Sequence, residues 1–325
     1  MIFDRCRIEP KAVPGRTLIC IEKEMYEMQL YLAFPGKCEA DRIKEIEAFV
    51  SERNIANKGI EAHAVPEMPR HPDDEYIKKN YKQTDVFKIP VGIDHESVEL
   101  VEIDLKRTIS VAVSGRQCRE KENLIYMILD HLCSKAFIHP PKIFIIDGYE
   151  RRLKRYYDNG YIEGYTTEAD ETETILLSFE EKLKERKSIV RANGFKAIED
   201  EPLLVCVIEN PEIFESKAIS EKVSSVYRRI VENYKRFKSV IIFSDVPNIK
   251  SGYASADMLK HIKDVDTAYV FDDYENIRLF DQVHSYRERF KKHIEPEDAY
   301  SFASDGTVLK MRIVSHKTQH NTNMI

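Results

Sequence analysis

A segment that could bind phosphate is the clearest candidate for chemistry in this sequence. Residues 110–124 read as a strand, a loop and a helix, and Gly115 and Lys121 match the first glycine and the lysine of the phosphate-binding pattern G-x-x-x-x-G-K-[ST]. Glu120 stands where the second glycine is required, and Glu122 stands where a hydroxyl would coordinate magnesium. The remaining positions of this candidate nucleotide-binding segment are Arg116, Gln117, Cys118 and Arg119. We interpret the segment as a degenerate phosphate loop.

Both substitutions have a physical cost for anion binding. Glycine lets backbone N–H groups approach a phosphate, whereas Glu120 adds a side chain and a negative charge. Two carboxylates in the first turn of a helix also oppose the positive potential that would hold an anion there. Lys121 has two interpretations, because it could contact phosphate or form a solvated ion pair with the neighbouring glutamates. A strand, a glycine turn and a helix are also common together, so the pattern needs support from other segments.

Two later strands also end in polar residues. The apolar run Leu203–Ile208 ends in Glu209 and Asn210, so Glu209 stands where a Walker B strand presents its magnesium-holding acid. The run Val240–Phe243 ends in Ser244, for which we favour a structural role over contact with a phosphate. The basic clusters 151–155 and 227–229 are interpreted as helix surfaces, although an arginine of the second cluster could act on a neighbouring subunit.

Strands and helices alternate from residue 86 onward. Uninterrupted apolar strands followed by amphipathic helices predict an α/β fold, with a mostly parallel β-sheet flanked by helices on both faces. The predicted strands are 86–93, 98–103, 109–113, 142–146, 203–208, 240–243, 268–271 and 308–313. The predicted helices are 123–135, a long one through 176–189, 216–236 and 254–262. Ligands of such sheets bind at the carboxyl ends of the strands, where the candidate residues lie.

The first 85 residues have a different pattern. Apolar and polar residues alternate over short stretches at 17–21 and 28–34, which predicts strands that need a partner. Residues 40–54 are predicted to form an amphipathic helix, and a Pro- and His-rich linker follows it. The predicted organisation is therefore linking strands or the end of a preceding domain at 1–36, a helix and linker at 37–85, and the main domain at 86–316. A disordered tail is predicted at 317–325.

Composition excludes several classes of function. Acids outnumber bases 56 to 50 and the formal net charge is -6, so nucleic acid is not expected as a partner. The six cysteines are scattered without Cys-x-x-Cys pairs, which predicts reduced thiols in a cytoplasmic protein. His131 and Cys133 have the wrong helical spacing for a shared metal, and we assign no metal site. Neither a signal peptide nor a membrane span is predicted.

The order of these segments resembles a known family. In content and order, five segments resemble an FtsK/SpoIIIE-type ATPase domain. They are Pro90–Asp94, Glu102–Leu105, the loop at 115–122, Phe144–Gly148 and Leu203–Asn210. More narrowly, it resembles the last of the tandem ATPase domains of the EssC/EccC (YukB-like) coupling protein of type VII secretion. The resemblance implies a RecA-like P-loop NTPase core with an N-terminal β/α appendage. In that family Pro-Gly-Arg and Glu-x-Gln close each domain, and residues 13–16 and 26–29 fit this signature.

The chain also departs from that family. Glu209 replaces the Walker B aspartate, and Glu297-Asp-Ala299 stands in place of the closing Gly-Arg-Gly. Together with Glu120 and Glu122, these changes favour a module that is inactive or very weak as an isolated ATPase.

The resemblance implies a function and partners. The leading interpretation is a C-terminal, degenerate ATPase module that recognises secreted WXG100-type proteins or their C-terminal signal peptides, or regulates the ATPase domains upstream of it. It requires no cofactor, although weak binding of ATP and magnesium is compatible with Lys121. The full-length motor would be membrane-associated, with this module on the cytoplasmic face and a homo-oligomer, such as a hexamer, as its assembly. One alternative is a slow but genuine ATP-hydrolysing motor domain, and a second is a DNA translocase domain.

Overall fold

The computed structural model describes residues 11, 13, 15–21, 24–31, 33–59, 66–82, 85–134, 136–250, 257–282 and 284–316. The chain forms two compact units, Met1–Val65 and Pro66–Ile325. The predicted disordered tail lies outside the described residues. Among the residues described, no helix is both long enough and apolar enough to cross a bilayer.

The first unit contains a hairpin and one helix. Strand β1 (Arg16–Ile21) pairs antiparallel with β2 (Glu24–Gln29). The predicted strand at 17–21 is confirmed, whereas the predicted strand at 28–34 is misplaced, because the strand that pairs with β1 ends at Gln29, opposite Arg16. Helix α1 (Glu39–Ala56) confirms that the predicted segment is helical, but none of its side chains is buried.

The second unit is built on one ten-stranded sheet. Its strands are β3 (Lys88–Asp94), β4 (Leu100–Asp104), β5 (Ser110–Gly115), β6 (Lys142–Ile146), β7 (Ile162–Thr166), β8 (Leu204–Ile208), β9 (Ser239–Val246), β10 (Thr267–Phe271), β11 (Asp298–Ala303) and β12 (Val308–Ile313). Its helices are α2 (Asp74–Asn80), α3 (Arg119–Leu132), α4 (Thr172–Asn193), α5 (Glu212–Glu215), α6 (Lys217–Tyr234), α7 (Asp257–Ile262) and α8 (His284–Arg289).

The strand order confirms the predicted fold class. Six neighbouring strands, in the order β10-β5-β9-β8-β6-β7, run parallel. The other four strands, β11, β12, β3 and β4, extend the sheet antiparallel from β10. Strand β8 is buried along its whole length, and separate hydrophobic clusters cover the two faces of the sheet. A sheet covered on both faces explains why its strands read as continuous apolar runs.

Five of the described elements were absent from the sequence prediction, namely α2, α5, α8, β7 and β11. Helix α2 lies within the predicted linker, where Asp73 caps it by accepting a hydrogen bond from the Tyr76 backbone N–H at 2.9 Å. Strand β7 is a short edge strand interrupted by Gly164, and β11 contains Asp298 and Ser301 among its alanine and aromatic residues. Short elements whose hydrogen bonds are satisfied by tertiary partners have weak periodic signals, which explains these omissions.

Gly115 links this fold to the candidate site. It ends β5 with φ +114, and a Cβ atom added to it would lie 2.6 Å from the Phe271 carbonyl oxygen of β10. The next N–H, of Arg116, donates to that same oxygen at 3.0 Å. Glycine is therefore required here by backbone packing, independently of any phosphate.

We expect Gly115→Ala to lower the free energy of unfolding by roughly 2–3 kcal/mol, because both the backbone angle and the contact with Phe271 exclude a side chain. Urea unfolding followed by circular dichroism measures the change. Gly160→Ala is the matched control, because a Cβ atom there would meet nothing within 4 Å. Equal effects of the two substitutions would contradict the packing argument.

Candidate functional site

Four adjacent parallel strands bring the polar residues together. Strands β5, β9, β8 and β6 are neighbours in that order, and their carboxyl ends open on a cavity of about 270 Å³. The cavity is lined by Gln117, Asp147, Gly148, Tyr149, Glu150, Arg152, Glu209, Pro211 and Asp245. The predicted loop and the predicted Walker B acid therefore contribute to one site, as expected for the switch region of a parallel sheet.

The candidate phosphate loop is short because its helix begins early. Helix α3 starts at Arg119, so only residues 116–118 lie between Gly115 and the helix. Glu120, Lys121 and Glu122 occupy the first helical turn. Two of these three residues are acids at the positive end of the helix dipole, where they oppose binding of another anion.

Lys121 is buried and paired. Its side chain is only 2% exposed, and its Nζ donates to Oδ1 of Asp245 at 2.6 Å. The alternative of a solvated ion pair with Glu120 or Glu122 is therefore wrong, because the lysine is buried and its partner comes from β9. Gln117 Nε2 donates to the same oxygen of Asp245 at 2.6 Å. The lysine that would hold a phosphate in an active site is already neutralised by a carboxylate.

Asp245 is held in position by an irregular backbone. It has φ 56, in the left-handed region, and Gln117 and Lys121 both bind its side chain. Burial would raise the pKa of its carboxyl, but the hydrogen bond and charge of Lys121 outweigh this effect and hold the pKa below its ordinary value. Asp245 is therefore ionised at neutral pH, as the pairing requires.

Arg152 lines the cavity, and the sequence interpretation missed it. Its Nη1 atom lies 3.5 Å from Glu209, 3.7 Å from Asp245 and 3.7 Å from Glu122. Its Nε donates to Glu150 at 2.7 Å. The interpretation of the 151–155 cluster as a helix surface is wrong for Arg152. A usable signal existed, because this arginine follows closely after the strand end at Asp147, where side chains of a parallel sheet reach the site.

Asp147 positions the segment that carries Arg152. This fully buried carboxylate accepts hydrogen bonds from the Gly148 and Leu153 backbone N–H groups, both at 2.9 Å, and from the Tyr165 hydroxyl at 2.7 Å. A satisfied buried carboxylate fixes the turn that follows β6. Arg152 consequently points into the cavity from a rigid support.

Glu209 occupies the cavity as a carboxyl with altered acidity. Its side chain is 7% exposed, and burial raises its pKa to about 8, although the charge of Arg152 acts in the opposite direction. The negative charges of Asp147, Asp245 and Glu122 raise it further. At neutral pH this carboxyl is mostly protonated, and a protonated carboxyl is a poor magnesium ligand.

The other sequence candidates have structural partners. Within Glu297–Ala299, Asp298 is buried and lies 2.9 Å from His95, 3.0 Å from Lys310 and 2.9 Å from Arg312. Burial raises the pKa of Asp298, but the hydrogen bonds from His95, Arg312 and Lys310 outweigh this effect and lower it to about 2. Ser244 is buried, consistent with the structural role favoured for it.

The remaining basic and metal candidates also lie outside the cavity. Arg229 pairs with Glu180 at 2.9 Å, and His131 Nε2 lies 2.7 Å from the Val86 carbonyl oxygen. Across the described ranges, no three His, Cys, Asp or Glu side chains are grouped to hold a metal ion.

A second and larger cavity lies between α2, α3 and β3. Its volume is about 730 Å³, and Ile77, Ile89 and Met127 form an apolar part of its lining. At its edge His316 bridges two carboxylates, lying 3.1 Å from Asp74 and 2.8 Å from Asp130. This cavity contains none of the candidate phosphate-binding residues.

Comparison with known proteins supports the resemblance seen in the sequence. No family model matches the chain. The ESX secretion system protein YukB of Bacillus subtilis (strain 168) is 23% identical over 171 residues, which are 52% of this chain and 11% of YukB.

Solved structures show the same fold. The cytoplasmic domain of EssC superposes with a TM-score of 0.58 at 18% identity, covering 97% of this chain and 62% of that one. Thermomonospora curvata EccC (ATPases 2 and 3), solved in complex with a signal sequence peptide, gives 0.58 at 15% identity, covering 95% of this chain and 54% of that one. The chain thus spans only part of each of these proteins. The resemblance to an EssC/EccC-type ATPase domain is confirmed, and the fold is that of a P-loop ATPase domain.

Burial of Glu209 makes the stability of the folded protein depend on pH. Because its pKa is higher in the folded protein than in the unfolded chain, the folded state binds more protons, and stability falls as pH rises toward about 8. We expect Glu209→Gln to change the free energy of unfolding in the stabilising direction by roughly 1 kcal/mol or more at pH 8.5 compared with the change that the same substitution causes at pH 5. Urea unfolding of both proteins at the two pH values tests this. A pH-independent difference between them would contradict the assignment.

Proposed function

We propose that this chain is a type VII secretion ATPase module that no longer cycles nucleotide and acts instead by recognising secreted WXG100-type substrates or by regulating upstream ATPase domains. The observation that carries the proposal is the buried contact between Lys121 and Asp245 at 2.6 Å. The similarity to YukB and to EssC/EccC ATPase domains supplies the secretion context.

The residues in the cavity fit magnesium-ATP poorly. A phosphate would have to displace Asp245 from Lys121 and then approach Glu120 and Glu122 instead of glycine amides. Desolvating a phosphate beside uncompensated carboxylates is unfavourable, since like charges repel strongly in a partly buried site. The position of the magnesium-binding hydroxyl is taken by Glu122, and Glu209 is mostly protonated at neutral pH. We therefore derive no step of a reaction through nucleotide.

Slow ATP hydrolysis is the alternative, and one observation favours it. Gln117, Lys121 and Glu209 do converge on the carboxyl ends of β5 and β8, as they would in a working P-loop ATPase. Weak magnesium-ATP binding would require Asp245 to release Lys121. The two functions therefore differ in whether Asp245 remains in place.

Substrate recognition is the proposed replacement activity. The EccC structure similar to this chain was solved with a signal sequence peptide, which makes peptide docking a function that this fold can perform. The cavity of about 730 Å³ offers a concave surface with an apolar part formed by Ile77, Ile89 and Met127. An amphipathic helix presents apolar side chains that suit such a surface. In the full-length motor, a hexamer at the membrane would carry this module on its cytoplasmic side.

Calorimetric titration with magnesium-ATP tests whether Asp245 closes the site. We expect no binding and no hydrolysis above background for the unaltered chain, because Lys121 is already paired. Asp245→Asn should destabilise the protein by roughly 3 kcal/mol, since it leaves Lys121 buried without its countercharge. Combined with Glu120→Gly and Glu122→Thr, it should produce measurable nucleotide binding.

The Glu120→Gly/Glu122→Thr variant that retains Asp245 is the matched control and should bind no better than the unaltered chain. Turnover of the unaltered chain at about 1 per second or faster would refute the proposal and favour the slow-ATPase alternative.

Substrate docking is tested without nucleotide. We expect the chain to bind a co-encoded WXG100-type hairpin or its C-terminal peptide with a micromolar dissociation constant, corresponding to about 8 kcal/mol. Ser134→Trp, at the edge of the 730 Å³ cavity, should weaken this binding roughly tenfold by filling space that the peptide needs. Ser178→Trp, exposed on α4, is the control. Equal affinity of both variants would place the docking surface elsewhere.

A further inference from the structure

The second cavity, of about 730 Å³, has one wall that is weakly held. Helix α2 contributes Asp74, Ile77 and Lys78 to its lining. This helix has seven residues, and Ile77 is the only one of them that is buried. A helix of two turns is not stable by itself in water, so contacts with the rest of the protein must hold it in place. These contacts therefore decide whether this side of the cavity is closed.

Residues 314–316, which follow β12 and which we call the strap, run alongside the start of α2. The Ser315 backbone N–H donates to the Pro72 carbonyl oxygen at 2.7 Å. Ser315 also forms an isolated parallel bridge with Asp73, the residue that caps α2. The next residue of the strap, His316, consequently lies beside the first turn of α2.

His316 joins α2 to α3. Its Nδ1 lies 3.1 Å from Asp74 Oδ2, its Nε2 lies 2.8 Å from Asp130 Oδ2, and its side chain is 14% exposed. Because each ring nitrogen faces a carboxylate, both nitrogens must donate, which requires the protonated imidazolium. A cation shared by two carboxylates thus connects two helices that line the cavity.

The two sides of this contact differ in strength. Asp130 also accepts hydrogen bonds from the Tyr156 hydroxyl at 2.6 Å and from Arg155 Nη2 at 3.2 Å. In the described part of the chain, Asp74 has no ion-pair partner except His316, and 45% of its side chain is exposed. Screening by solvent weakens an exposed pair. The contact with Asp74 is therefore the one expected to break first.

We propose that α2 is a movable wall of the cavity of about 730 Å³ and that His316 is the latch that holds it against α3. While the latch is closed, access to the apolar lining is restricted, and its release lets α2 move away. Local opening of a weakly packed element costs less than global unfolding, so this motion needs no change in the sheet. The role of the latch in recognition rests on the proposed function, because docking is placed in the same cavity.

The latch depends on a proton. Hydrogen bonds to Asp130 and Asp74 raise the pKa of His316 to about 9, although burial acts in the opposite direction. Because this pKa lies above the ordinary value of 6.5, the stabilising contribution of the latch is complete below about pH 6.5 and is lost as the pH rises through about 9. The other charged or titratable side chains that line the cavity are Lys78, His131, Cys133, Arg155 and Tyr156.

Native thiols report whether the latch opens. Cys133 lines the cavity and Cys206 is fully buried in β8, so labelling of Cys133 without labelling of Cys206 measures local opening instead of unfolding. We expect His316→Gln to accelerate labelling of Cys133 by N-ethylmaleimide at least about fivefold at about pH 7, because the latch loses its charge. Mass spectrometry of peptides from the labelled full chain measures the rates at both cysteines.

The pH dependence separates the latch from a merely structural contact. The ratio of the labelling rates of His316→Gln and the unaltered chain should fall toward unity as the pH rises to about 10, since the unaltered chain then loses the proton as well. His316→Lys retains a cation with an ordinary pKa of about 10.4, so Cys133 should be labelled in it as slowly as in the unaltered chain at about pH 7. A ratio that stays constant across this range would overturn the proposal.

Two further variants make the result specific. Asp74→Asn breaks the weaker contact and should accelerate labelling of Cys133 at least about threefold, while Cys206 stays unlabelled. His139→Gln removes an exposed histidine outside the cavity and should leave the rate unchanged. Asp74→Asn keeps the test decisive if His316→Gln unfolds the whole chain.

The outcomes also separate the latch from the proposed function. Equal labelling of Cys133 in the unaltered chain, Asp74→Asn and His316→Gln would overturn the latch, whether or not a substrate peptide binds. Faster labelling in both variants would support the latch, and absence of peptide binding in the same samples would then refute docking alone.

Discussion

The buried ion pair between Lys121 and Asp245 is the interaction on which the rest of the site depends. Lys121 belongs to the first turn of α3, and its side chain cannot be left uncompensated at 2% exposure. Asp245 is the nearest anion and meets that need from within the chain. Because the lysine has an internal countercharge, a phosphate that entered the site would first have to displace Asp245.

The backbone of β9 is shaped to make this contact. Ala112 pairs with Phe243 while Ser114 pairs with Val246, so β9 carries one residue more than β5 across this stretch. The extra residue is a β-bulge at which Asp245 adopts φ 56, and the Ser114 hydroxyl donates to the Val246 carbonyl oxygen at 2.8 Å beside it. Strained backbone of this kind persists where it places a functional side chain. Here it directs a carboxylate to the lysine instead of leaving room for a phosphate.

The fold could be predicted from the sequence, but the contacts between the side chains of the site could not. Strands such as β5 and β8 are buried on both faces, so their apolar composition alone identifies them. Gly115, Lys121 and Glu209 could be located because each lies at the end of a strand or the start of a helix. The partner of Lys121 lies 124 residues away in the sequence, and its direction is set by a bulge that leaves no compositional signal. Arg152 was misread because its basic neighbours suggested an exposed helix face.

The charged cavity lies apart from the apolar side chains that form the cores of this fold. The cores on the two faces of the sheet are formed by apolar side chains, and the charged cavity lies at the rim where strands end. The apolar cores do not depend on the charges at the rim, although the Lys121–Asp245 pair and the buried Glu209 couple part of the stability to those charges. The remaining constraint is electrostatic, because each added acid needs a cation or a proton. Arg152 supplies the cation for several of them, and Glu209, whose pKa is raised by burial, retains a proton instead.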